Sequence, residues 1–351
     1  MAATALGDLL LDLLALPSLT GEEGPVADWL EHRYAGQRVR RAGNSVVVGG
    51  SDDGRPVVLL VGHTDVVPPT DADRDPRRDG DRILGRGASD MKSGLAVAMD
   101  CFETSALRAG PYDLVLVAYA GEEGPHEGNE LGAVLTAMPD LAEAALAVVL
   151  EPTDLTVQLG CMGALHAEVS FLGRAAHSAR PWQGENALTK AGDFLGELHR
   201  RPPHDVDVDG LTYREVFTAT AAWTDNARNV VPDRFTINLN YRYAPDKTTA
   251  AAEACVNELV SDRAVVTVVD HAAAGRPRRN TGLVADFCDA VDATVQPKQA
   301  WTDVARFSQL GVPALNYGPG LTAQAHQAGE YAPEANLVAA RAALAAFLAG
   351  A

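Results

Sequence analysis

Apolar residues in this chain gather in short unbroken runs, set between stretches of helical periodicity. Residues 57–61, 114–120 and 144–150 are apolar almost without interruption. Such runs predict strands buried on both faces of a parallel sheet. Helical spacing covers 4–16, where Pro17-Ser18 ends it, and continues from Thr20-Gly21-Glu22-Glu23 to about Tyr34. Further helices are predicted over 95–107, 281–291, 304–310 and the Ala/Leu-rich terminus. Residues 46–48 and 312–317 read as strands, 299–303 as a strand end, and the charged segment 71–81 as a surface loop.

From about Ala164 the pattern changes. Residues 164–172 alternate, with His166, Glu168 and Ser170 set against Leu165, Val169 and Phe171. Alternation predicts a half-exposed strand of an antiparallel sheet. Strands over 216–224, 235–243 and 265–269, with helices over 186–199 and 248–259, complete a four-stranded α+β layer. The expected organisation is an α/β first domain (1–163 and 275–351) interrupted by a second domain (164–274).

Length supports the division, since 351 residues are many for one core. With 47% apolar residues the chain is globular. The net charge of -18 argues against nucleic acid or an anionic membrane as partner. An anionic substrate would therefore need local Arg or Lys. The four cysteines form no CxxC pair, which excludes a thiolate zinc site and a disulfide framework. The Leu-rich start carries Asp8 and Asp12 and no Lys or Arg, so it reads as an amphipathic helix of a cytoplasmic protein rather than a signal peptide.

The ends of the apolar runs carry the chemistry. The first closes on Gly62-His63-Thr64-Asp65, the second on Gly121-Glu122-Glu123-Gly124, the third on Glu151-Pro152. In open α/β sheets, ligands bind outside the carboxyl ends of the strands. Residues i and i+2 of a strand share a side, so Asp65 can orient the His63 ring. Each acid alone reads equally as a cap or a solvated turn. Three strand ends bearing them, with Asp90 at a helix entrance, form a pattern. Gly85-Arg86-Gly87-Ala88-Ser89-Asp90 is no dinucleotide fingerprint, because Asp90 stands at the third glycine position. No Gly-x-Ser-x-Gly elbow and no phosphate-binding Walker loop is present.

His63, Asp90, Glu122, Glu123, Glu151 and the late His326 offer nitrogen and oxygen donors only. That set suits a hydrolytic dinuclear zinc centre, with cobalt or manganese possible. It holds one carboxylate more than ligation needs, leaving Glu122 or Glu123 as general base.

These motifs, with Gly87-Ala88-Ser89-Asp90-Met91-Lys92-Ser93-Gly94, Ala176-His177-Ser178-Ala179-Arg180-Pro181 and Asn229-Val230-Val231-Pro232, resemble the aminoacylase/carboxypeptidase family of dinuclear zinc amidohydrolases. The resemblance covers nearly the whole chain. It implies a zinc-exopeptidase-like catalytic domain, a mixed sheet with helices on both faces, and an inserted ferredoxin-like lid that also forms a homodimer. It implies two Zn2+ per subunit, held by His63 and Glu151 and by Glu123 and His326, with Asp90 bridging. By the same resemblance Glu122 is the general base and Asp65 orients His63. His177, from the partner subunit's lid, stabilises the oxyanion, and Asn229, Arg242, Arg306 and Arg180 lie toward the substrate, a small anionic N-acyl amino acid. Arg180 stands where some relatives carry Tyr, and Ala325 where relatives often carry Cys.

Overall fold

A computed structural model describes residues 3–51 and 53–350. The chain divides into two compact units, one built from the residues up to Gly160, 277–296 and from Arg306 onward, the other from Cys161–Arg276 and Pro297–Ala305. Residues 297–305, which the sequence reading kept with the first domain, group with the second unit.

The first unit is built on an eight-stranded mixed sheet, in the order Val39–Ala42, Ser45–Gly49, Asp113–Tyr119, Val57–His63, Leu146–Val149, Ala314–Asn316, Val157–Leu159 and Val295–Pro297. Its centre is parallel: Val57–His63 pairs in parallel with both Asp113–Tyr119 and Leu146–Val149, and the latter with Ala314–Asn316. These are the continuous apolar runs, and Val58 to Val61, Leu116, Val117 and Leu146 to Val149 are buried. The helices Ala3–Ala15, Ser93–Glu103, Gly282–Val291 and Glu334–Leu348 pack against one another around this sheet.

The second unit is a five-stranded antiparallel sheet, ordered His204–Val208, Leu211–Trp223, Arg234–Tyr243, Gly163–Leu172 and Val265–Ala272. The last four strands and the helices Gly192–Arg200 and Thr249–Val260 follow each other in ferredoxin-like sequence. Leu165, Ala167, Val169 and Phe171, the apolar half of the alternating strand, enter a core with Phe194, Ile237, Leu239 and Val256. Thr248 caps its helix by accepting from the Ala251 backbone N–H at 3.2 Å.

Several expectations are corrected. The second sheet has five strands, not four, because the charged segment His204–Val208 pairs along its edge. Residues 71–81 are not a plain loop: Arg77–Asp79 and Arg82–Leu84 form a hairpin, which Tyr331–Pro333 extends. The helix foreseen over 95–107 breaks at Thr104, which is extended (φ -71, ψ 105) with its hydroxyl bonded back to the Asp100 carbonyl at 2.8 Å. The helix foreseen over 186–199 is two pieces, Ala187–Lys190 and Gly192–Arg200. Residues 299–303 form no strand.

Candidate metal centre

Three neighbouring parallel strands deliver the site. His63 is the last residue of its strand, Glu122 and Glu123 sit on the turn after Tyr119, and Glu151 lies two residues past Val149. Asp90 comes from the turn before helix Ser93–Glu103. That helix can approach only because residue 94 is glycine, since a Cβ there would run into the Leu150 carbonyl. The close approach sets Asp90 beside Glu151.

His63 is fully buried, and its Nε2 lies 3.4 Å from Asp90 Oδ1. On the far side Asp90 Oδ2 is 3.7 Å from His326 Nε2. His326 in turn meets Glu123, at 2.8 Å from its Oε2. His326 is half exposed and has a left-handed backbone (φ 61), a conformation that His adopts more readily than bulkier residues. The His63 Nδ1 lies 3.0 Å from the Asp65 backbone carbonyl and 3.5 Å from its carboxylate. The Asp65 carboxylate also accepts the backbone N–H groups of Glu122 and Glu123, both at 3.0 Å, and the Thr20 hydroxyl. One residue thus meets the imidazole, most closely through its backbone carbonyl, and holds the Glu122-Glu123 turn through its carboxylate.

The donors fall into groups with the spacing of metal ligands. One ligand atom each from His63, Asp90 and Glu151 lie within 4.8 Å of one another, and so do those of Asp90, Glu123 and His326. The two triplets share Asp90. A third grouping at the same spacing joins His63, Glu122 and Glu123. Imidazole and carboxylate donors in two triads with a common carboxylate fit a pair of divalent cations of the zinc, cobalt or manganese type.

The electrostatics agree. Burial pulls the His63 imidazole down, but hydrogen bonds to Asp65 and Asp90 and the charges of Asp65 and Glu122 outweigh it and hold its pKa well above the usual value. Burial and the Asp90 charge push Glu123 up, against the pull of His63 and His326. Burial also opposes ionisation of Asp65, yet His63 and two backbone N–H groups bring it down to about 2. A pocket that draws a proton onto a buried imidazole is one that attracts cations.

The structure therefore brings together His63, Asp65, Asp90, Glu122, Glu123, Glu151 and His326, all in the first unit. Arg306 belongs to the same unit, where its Nη2 donates to the His126 carbonyl at 2.8 Å, on the loop that follows Glu123. His177, Arg180, Asn229 and Arg242 belong to the second unit. His177 is exposed, with Nδ1 accepting from the Ala179 backbone N–H at 3.1 Å. Arg180 donates its backbone N–H to the His177 carbonyl, and the Asn229 carbonyl accepts from Ser178. Arg242 donates Nε to Asn240 Oδ1 at 3.1 Å, and burial lowers its pKa.

Sequence reasoning gave no role to Asp73, Arg86 or Glu330. All three are buried. Arg86 bridges the acids, reaching Glu330 Oε2 at 2.9 Å and Asp73 Oδ2 at 3.1 Å. The available signal was an acid placed four residues after His326 and directly before Tyr331-Ala332-Pro333.

The model of peptidase family M20/M25/M40 matches residues 59–350. The chain is 37% identical over 338 residues to the putative succinyl-diaminopimelate desuccinylase DapE of Mycobacterium tuberculosis, covering 95% of each. It is 36% identical over 333 residues to the succinyl-diaminopimelate desuccinylase of Corynebacterium glutamicum, covering 92% of this chain and 90% of that one. The fold is similar to the crystal structure of a tripeptidase from Staphylococcus aureus, with a TM-score of 0.81 over 99% of this chain and 98% of that one, at 18% identity.

Proposed function

The chain belongs to peptidase family M20/M25/M40, and from that membership we propose that it is a metal-dependent amide hydrolase acting on N-succinyl-LL-2,6-diaminopimelate. The products are succinate and LL-2,6-diaminopimelate. The observation that carries the chemistry is Asp90 shared between two ligand triads. The substrate rests on the identity, across nearly the full length, to the two desuccinylases. The sequence segments Trp301-Thr302-Asp303-Val304-Ala305-Arg306-Phe307 and Asn316-Tyr317-Gly318-Pro319-Gly320 resemble the same enzymes.

His63 and Glu151 would hold one cation, Glu123 and His326 the other, with Asp90 between. Zinc is the metal proposed, two per subunit. Bound there, the cations supply Lewis-acid polarisation of the amide carbonyl and a water acidic enough to react near neutral pH. Glu122 stands at the edge of both triads, within 4.8 Å of His63 and Glu123 donors, and takes the proton of the attacking water. It then passes that proton to the leaving nitrogen as the C–N bond breaks. Asp65 holds Glu122 in place through its backbone N–H. His177, from the lid of the partner subunit in a homodimer, donates to the oxyanion. Arg242, Arg306, Arg180 and Asn229 receive the succinyl and amino-acid carboxylates, which Arg suits by its two-pronged geometry. No described helix is long and apolar enough to cross a membrane, and the proposed setting is the cytoplasm.

The test is an assay of protein stripped with chelator and reloaded with zinc, against N-succinyl-LL-2,6-diaminopimelate and N-acetylornithine. The succinylated substrate is expected to turn over faster, and only after metal is restored. Faster turnover of acetylornithine would instead identify a deacetylase of the same family.

A further inference from the structure

The His326 and Asp90 segments are far apart in sequence, yet they are joined by one buried carboxylate. Glu330 accepts four donors. Its Oε1 takes the backbone N–H groups of Ser89 at 2.8 Å and Asp90 at 2.9 Å. Its Oε2 takes Gly87 N–H at 3.1 Å and Arg86 Nη1 at 2.9 Å. Three of the four are amides of the turn that ends in Asp90. Asp73 secures the other side: its Oδ2 accepts Gly329 N–H at 2.9 Å and Arg86 Nη2 at 3.1 Å, and its Oδ1 accepts Thr70 N–H at 2.6 Å. The Ser89 hydroxyl adds a bond to the Tyr331 carbonyl at 2.7 Å.

Glu330 and Asp73 are each about 1% exposed and Arg86 is 7% exposed. Buried charges are a poor route to stability, because apolar side chains of similar volume do as well or better. Glu330 takes the first amides of the helical turn Ala88–Lys92, and Asp73 takes the Gly329 amide of the His326 segment. What they do is clasp the turn carrying Asp90 to the turn carrying His326. His63 and Glu151 depend on none of these bonds, since they are placed by adjoining parallel strands.

We propose that Glu330, braced by Arg86 and Asp73, is a positioning residue that sets the Asp90–His326 spacing and so the affinity of the Asp90–Glu123–His326 cation position. The inference rests on the two-cation reading of the site and refines it: the two positions differ in what holds them. The first takes two of its three ligands, His63 and Glu151, from strand ends, whereas the second takes two of its three, Asp90 and His326, from the turns that the clasp joins. Residues that orient metal ligands typically change affinity by about 10–100-fold when altered.

The experiment is a cobalt(II) titration of the metal-free full chain, followed by visible absorption and calorimetry, with no substrate present. The native protein is expected to take up two cations. In Glu330→Gln one of the two cations should lose about 10–100-fold in affinity, while the other stays within about threefold. Asp73→Asn, which loosens the clasp from the other side, should show the same split to a smaller degree, and it carries the test if Glu330→Gln does not fold. Circular dichroism and the thermal midpoint identify folded variants. Equal weakening of both cations in folded protein would show a merely structural role and overturn the inference. So would two unchanged affinities. A native protein that takes up a single cation would overturn the dinuclear reading along with it.

Discussion

The shorter bond from His63 Nδ1 runs to the backbone carbonyl of Asp65, at 3.0 Å, and not to its carboxylate, at 3.5 Å. The carboxylate is thereby available to the turn that bears Glu122 and Glu123, whose N–H groups it accepts at 3.0 Å each. Orientation of the imidazole and placement of the proposed base are thus divided between the backbone carbonyl and the carboxylate of one residue.

Asp65→Ala tests that division. The backbone carbonyl remains, so the His63 ring stays oriented and cation uptake should fall by less than about tenfold. The Glu122-Glu123 turn loses two acceptors, so kcat should fall further, by about 10–100-fold. Parallel measurement of cobalt affinity and kcat decides the matter. A large loss of affinity with kcat preserved in the loaded enzyme would contradict it.

Glu122→Gln removes the proposed proton acceptor and keeps the shape. Neither triad that shares Asp90 includes Glu122, so the metal content of the variant should remain at the native level by elemental analysis. Turnover should drop by about 10²–10⁴-fold, the usual worth of a positioned acid–base group. Native-like turnover would return the role of base to another residue.

Much of this was legible because the informative residues sit where local pattern and tertiary position coincide. An apolar run ending in His63 or Glu151 identifies a central strand and the site at its end in one reading. Edge strands gave no such signal: Val39–Ala42 carries Arg40 and Arg41, and His204–Val208 alternates with Asp. They form because a neighbour offers a free edge, a fact absent from their own composition. The Arg86–Glu330 contact was hidden for another reason, since 244 positions separate partners that the fold alone brings together. His177 and Arg180 lie on a turn of the second unit, where sequence supplies residue type and no geometry.

Gly94→Ala probes the helix–strand approach that sets Asp90 beside Glu151. A methyl group at 94 meets the Leu150 carbonyl, which is backbone and cannot rotate away. Overpacking of this kind costs about 1–3 kcal/mol. Denaturant unfolding should show that loss, and metal affinity should fall with it, since Glu151 directly follows Leu150. An unchanged unfolding midpoint would mean that the helix shifts without resistance.

The second unit offers a pH test on a residue outside the candidate ligand groups. Glu215 is largely buried, and burial raises its pKa. Lys247 at 2.8 Å, the Ala244 backbone N–H at 2.8 Å and His204 reverse that effect, leaving it below the ordinary Glu value. A carboxylate with a depressed folded-state pKa binds its proton more readily in the unfolded chain. Its stabilisation is therefore complete above the unfolded value of about 4.3 and is lost as pH falls through the folded value. Glu215→Gln cannot ionise, so it should lower the unfolding midpoint at pH 7 and narrow its gap to the native protein below about pH 4. A gap that stays constant from neutral to acid pH would show that Glu215 acts through packing rather than through its charge.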